Sequence, residues 1–157
     1  MGMDFCLFPP LARISTMIAL QPRRNTPEAA PIAARDSRRL AAAGLKAFFR
    51  IGAAWGLSTT EEMRLLGDPS RATFFKWKRE PATANPGRDT LERISCILGI
   101  YKSLQILLPD PAVADAWVHK ANTAFAGRTA LERMLAGNVG DLYAVRRYLD
   151  AARGGWA

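Results

Sequence analysis

Histidine is nearly absent from this chain, cysteine is scarce, and acidic residues are outnumbered by basic ones. Each shortage closes off a class of function. The one histidine, His119, stands on a helical segment without a nucleophile beside it, so acid–base and covalent catalysis lack their usual constellation. Lys102, Asp110 and Asp115 form no paired-carboxylate arrangement, and neither GLSTTEE nor GDPSR completes a GxxxxGK[ST] phosphate cradle. The chain reads as a non-enzyme with no cofactor. Cys6 and Cys96 lie far apart, with no CxxC pair and no histidine near enough to complete a metal shell. Both thiols are read as reduced and structural, and no metal is expected. No run reaches about 18 apolar residues, the length a membrane-spanning helix needs. The N-terminal MGMDFCLFPPLARI has Asp4 where a signal peptide carries positive charge, and Pro9 and Pro10 interrupt its apolar stretch. A cytoplasmic location is expected.

What is present is positive charge. Lys and Arg number 22 against 14 Asp and Glu, giving a net charge of +8, which favours a polyanionic or acidic partner. Residues 1–100 hold 15 basic and 9 acidic side chains, and residues 101–157 hold 7 and 5, so the excess sits in the first part. A length of 157 residues suits a compact pair of helical subdomains. Residues 1–34 carry Pro9, Pro10, Pro22, Pro27 and Pro31 without lasting periodicity and read as a mobile tail. Met17 lies within it, and a translation start there is one expectation.

From Asp36, helical spacing relates Leu40, Gly44, Ala47, Phe48, Ile51 and Trp55, with Gly56 as terminator. Ser58 and Glu61 form a capping box that opens a short helix, with Met63 and Leu66 facing inward and Gly67 as its stop. The turn Asp68-Pro69-Ser70 then leads into RATFFKWKR at 71–79, which ends before Pro81. Short helix, glycine turn and second helix are the layout of a helix-turn-helix. A helical wheel puts Phe74 and Trp77 on one face, as anchors against Met63 and Leu66. Arg71 and Lys76 face outward, placed to reach base edges, and Arg71 can fork onto guanine. Ser70, Lys78 and Arg79 suit phosphates, while Phe75 meets either a thymine methyl or a seam with the rest of the protein. Thr73, on the first turn, completes the candidate DNA-binding set.

Asp89, with Glu92 three residues on, predicts the N-cap of a long helix carrying Leu91, Ile94, Leu98, Tyr101, Leu104 and Leu108. Ile97, Ile100 and Leu107 widen its apolar surface, so burial from several sides is expected. Asp110-Pro111 predicts a capped helix with proline in its first position, containing Val113, Ala116 and Trp117. Thr129 and Glu132 form a second capping box, for a helix stopped at Gly137. A final helix runs from Asp141, with Leu142, Val145 and Leu149 inward. No strands and no repeats are expected.

The segments LERISCILGIYKSLQILLPDP at 91–111, Trp117, NTAFAGRTALERMLAG at 122–137 and VRRYLDA at 145–151 resemble the toxin-binding domain of Xre/MbcA/ParS-type antitoxins. LLGDPS at 65–70 and TFFKWKR at 73–79 look like the same family's DNA-binding part. One departure is Ala130, where a proline often precedes the leucine. The resemblance implies an all-α protein with a helix-turn-helix subdomain at 35–86 packed on a small helical toxin-binding subdomain at 87–157. It further implies a RES-domain toxin that destroys NAD as partner, promoter DNA of the shared operon as second ligand, and a homodimer or larger toxin-bound assembly. With the family as guide, the candidate toxin-facing residues are Asn122, Phe125, Gly127 and Arg128 of the 122–128 loop, and Arg146, Arg147, Tyr148 and Arg153 of the last helix. Trp156 beside them could help to plug a phosphate-binding pocket. The rival reading is a stand-alone transcriptional regulator whose C-terminal half dimerises or binds another protein.

Overall fold

Residues 29–154 are described by a computed structural model and form α1 (Ala29–Ala54), α2 (Thr59–Leu65), α3 (Arg71–Arg79), α4 (Arg88–Leu107), α5 (Pro111–Trp117), α6 (Ala130–Met134) and α7 (Val139–Gly154). Short 3-10 turns at Pro81–Thr83 and Thr123–Phe125 complete the regular structure, and no strand occurs among the described residues. The fold is all-α, as expected. The expected tail falls outside the described residues up to 28, as do Cys6, Met17 and Trp156. From Ala29 to 34 the chain is already helical, because Pro31 lies in the first turn, where a backbone N–H has no helical partner to lose.

The core stripe of α1 is Ala41, Leu45, Phe48, Ile51 and Trp55. Leu40, expected inward, is 76% exposed, whereas Leu45 is fully buried. The expected and observed stripes share Phe48, Ile51 and Trp55, and they differ by one position only in the turns before Phe48. Each of these large side chains contributes about 1.5–3 kcal/mol through burial.

Helix α4 is the centre of the molecule, packed against α1, α5 and α7. Its Ile94, Cys96, Ile97, Ile100 and Leu104 are all buried, which fulfils the expectation drawn from its wide apolar surface. The Arg146 guanidinium of α7 lies over Gly99, where a Cβ would stand 2.9 Å from it. On the same seam, Tyr143 donates its hydroxyl to Glu92 (2.8 Å). That hydrogen bond is the main cause pushing the phenol up to about 12.

Most helix starts follow the local sequence. The Ser58 amide donates to Glu61 (2.7 Å) and the Glu61 amide to the Ser58 hydroxyl (3.3 Å), closing the first capping box. Thr129 and Glu132 close the second in the same manner at 2.7 and 3.0 Å. Asp110 accepts from the Ala112 amide (2.9 Å) with Pro111 opening α5. Asp89 departs from expectation. The N-cap of α4 is Gly87, and Asp89 sits in the first turn, where it pairs with Arg93 at 2.8 Å. A carboxylate in that position still favours the helix through its dipole. In α2, Leu65 and Leu66 are fully buried and Met63 only half-buried, so Leu65 takes the inward place expected of Met63.

Long-range polar contacts join the parts. Arg64 of α2 donates to the carbonyls of Leu135 and Ala136 (both 3.3 Å), and Arg93 donates to that of Gly137 (3.1 Å). These carbonyls belong to the C-cap of α6 and the two residues after it. His119 donates Nε2–H to the Trp55 carbonyl (2.7 Å), so the lone histidine ties the end of α5 to the end of α1.

Candidate DNA and protein interfaces

Helices α2 and α3 are joined by a turn in which Gly67 (φ +92°) and Asp68 (φ +54°) both adopt left-handed backbone. Glycine meets that demand without a Cβ clash. Ser70 caps α3 by accepting from the Thr73 amide (3.2 Å), and its hydroxyl donates to the Thr73 hydroxyl (2.9 Å). Both hydroxyls therefore organise the helix start.

Phe74 and Trp77 are buried, as anchors should be, at 0% and 8% exposure. The ring that meets Phe74 from α1 is Phe49, edge-on at 5.7 Å. Arg71, Phe75, Lys76 and Arg79 are exposed. The Arg71 guanidinium lies over the Phe75 ring at 5.8 Å, so Phe75 holds an arginine at the outer face. Arg79 pairs with its neighbour Glu80 at 3.2 Å.

Lys78, expected at a phosphate, already has a partner within the protein. Its ammonium lies 2.7 Å from Glu62, a carboxylate whose side chain is only 4% exposed, and sits over the rings of Phe49 and Phe74 at 5.4 and 5.5 Å. It is the counter-charge of a buried acid. Glu62 carried no sign of this in the sequence, because its partner is on the next helix.

The second surface lies at the other end of the chain. Asn122 caps a 3-10 turn through its side chain, accepting from the Ala124 amide at 2.9 Å. Its carbonyl accepts from Phe125 and Gly127, and its amide donates to the Arg128 carbonyl, all at 3.0 Å. Ala126 (φ +56°) and Gly127 (φ +77°) turn the chain left-handed in succession. The loop is thus closed on itself and presents Phe125 to the core. Phe125 lies edge-on to Trp117 (6.5 Å) and Tyr148 (5.3 Å), while Trp117 stacks on Tyr148 at 6.1 Å.

A shallow pocket of about 290 Å³ opens beside these rings, lined by Phe125, Arg128, Tyr148, Arg133 and the small residues Ala124, Ala126 and Ala144. Asn122, Phe125, Gly127, Arg128 and Tyr148 therefore come together. Arg146 and Arg153 do not join them. At 100° per residue they fall with Asp150 on the other flank of the buried stripe of α7, and both lie 3.7 Å from that carboxylate. Ser103 of α4 donates to Asp150 (3.2 Å) and accepts from Arg153 (3.4 Å). Arg147 is exposed and joins neither group. Arg133, absent from the candidate set, also lines the pocket while pairing with Asp141 at 2.9 Å.

Among the described residues no group of three side chains could hold a metal ion, and no helix is long and apolar enough to cross a membrane. An all-helical chain with an exposed basic face on a helix-turn-helix and a ring-lined pocket on a second helical part is, by class, a two-part binding protein. It belongs to the Xre/MbcA/ParS antitoxin family: residues 34–99 match the antitoxin Xre-like helix-turn-helix domain, and residues 103–155 match the antitoxin Xre/MbcA/ParS C-terminal toxin-binding domain. The two matched segments meet inside α4. The chain is also 50% identical over 120 residues to the uncharacterized protein y4oB of Sinorhizobium fredii (strain NBRC 101917 / NGR234), a span of 76% of this chain and 91% of the relative. No solved structure matches it.

Proposed function

We propose that this antitoxin binds and neutralises a RES-domain toxin that degrades NAD, and represses their shared operon by binding promoter DNA. Residues 35–86 carry the DNA-binding role and residues 87–157 the toxin-binding role. The observation that carries the reading is one chain with two separate exposed surfaces, each within a matched domain: Arg71, Phe75, Lys76 and Arg79 on α3, and the Phe125–Tyr148 pocket with Arg128. A helix-turn-helix that places its second helix in the major groove reads inverted half-sites as a dimer, so a homodimer or a toxin-bridged assembly completes the proposal.

Co-expression with the product of the adjacent gene, followed by affinity purification and light scattering, tests it. A stable complex whose formation stops NAD loss is expected. A chain that purifies alone and still binds its promoter would instead be a stand-alone regulator. On DNA, Arg71→Ala is expected to cost about 1–3 kcal/mol and to relax preference at one operator position. Lys76→Ala, read in the same shift assay, should also weaken binding. Unchanged retardation for both variants would remove α3 from the DNA interface.

A further inference from the structure

The pocket beside α6 and α7 has a chemistry of its own. Its walls are the Phe125 and Tyr148 rings, 5.3 Å apart, and its charged lining is Arg128 and Arg133, with no carboxylate among the lining residues. Arg128 makes no ion pair among the described residues. Its backbone is fixed, because its carbonyl receives the Asn122 amide at 3.0 Å. Arg133 is held by Asp141 at 2.9 Å and keeps 35% of its side chain exposed. The loop thus fixes where Arg128 leaves the backbone, and the ion pair holds the Arg133 side chain.

Size narrows what can enter. At about 290 Å³ the pocket lies just below the roughly 300–1,000 Å³ typical of small-molecule sites, and it is too small for a dinucleotide. It has ample room for a side chain of a partner protein. Guanidinium groups match carboxylates through paired N–H donors, and tyrosine and arginine are the residues that most often anchor protein interfaces.

We propose that this pocket receives an aspartate or glutamate side chain of the toxin, with its apolar stem against Phe125 and Tyr148 and its carboxylate between Arg128 and Arg133. The proposal rests on the toxin-binding reading above and deepens it.

The test measures affinity of the full-length chain for the co-expressed toxin. Arg128 is exposed, so Arg128→Glu should leave the thermal midpoint unchanged while weakening binding by about 30-fold or more, the range for unpairing a desolvated charge. Lys46→Glu, an exposed site on α1, makes the same charge change and should leave affinity unaltered. Each Asp and Glu of the toxin is then changed to Arg, and one such change should restore binding to the Arg128→Glu chain. If the unaltered chain fails to bind the toxin, the functional reading falls and takes this proposal with it. Should it bind and Arg128→Glu bind equally well, the pocket alone is refuted. If Arg128→Glu weakens binding but no toxin carboxylate restores it, the occupant is not an acid.

Discussion

Phe74→Ala is expected to destabilise the chain by about 3–5 kcal/mol, the range for truncating a fully enclosed aromatic ring. The ring has no solvent exposure and is met edge-on by Phe49 of α1 and by Phe75, with the Lys78 ammonium 5.5 Å away. Removing it therefore opens a cavity where α3 packs on α1, beside the second anchor Trp77. On a chain of this length each kcal/mol shifts the midpoint by about 2–4 °C, so a fall of roughly 6–20 °C is expected in a circular dichroism melt. Phe75→Ala is the comparison, because that ring is 43% exposed and its loss should stay within about 1 kcal/mol. Equal midpoints for the two variants would mean that α3 is not anchored through Phe74.

Gly52→Ala should also destabilise, against the usual rule. Glycine to alanine inside a helix ordinarily gains about 1 kcal/mol. Here a Cβ at position 52 would stand 2.6 Å from the Glu62 carboxylate, which is itself buried and held by Lys78 at 2.7 Å. Either the acid is displaced from Lys78 or α1 moves off α2, and we expect a net loss of about 2–3 kcal/mol. The diagnostic is a double-mutant cycle by urea unfolding. With Glu62→Ala in place the obstructing oxygen is gone, and Gly52→Ala should then be neutral or stabilising, a coupling of about 2–3 kcal/mol. Additive losses would show that the two side chains do not compete for the same space.

The same pair shows what the sequence could and could not reveal. Ser58 with Glu61, Thr129 with Glu132 and Asp110 with Pro111 were legible because each cap is completed within a few residues. The anchors Phe74 and Trp77 were legible because one helical face fixes them. The pairing of Lys78 was not legible, because its partner lies 16 residues back on another helix and nothing local separates a solvated lysine from one paired with a buried acid. The Arg64 bonds to Leu135 and Ala136 span 71 and 72 residues and are invisible to periodicity. In the toxin-binding half, the family pattern led to Phe125, Arg128 and Tyr148 together. It could not divide α7 into flanks, which is why Arg146 and Arg153 were grouped with residues they do not meet. Arg133 needed the fold, since only the packing of α6 on α7 turns it toward the pocket.

Helix α4 runs unbroken through the junction of the two matched segments, and at 20 residues it is about 30 Å long. With α1 and α7 both packed on it, a stiff shaft of that length leaves no swivel between the two matched segments. Duplex lying along α3 and a partner seated beside α7 would accordingly keep one bearing to each other. If the proposed operator and toxin binding hold, moving a half-site by about five base pairs, half a turn of DNA, would swing the partner to the opposite side of the duplex rather than be absorbed by the protein.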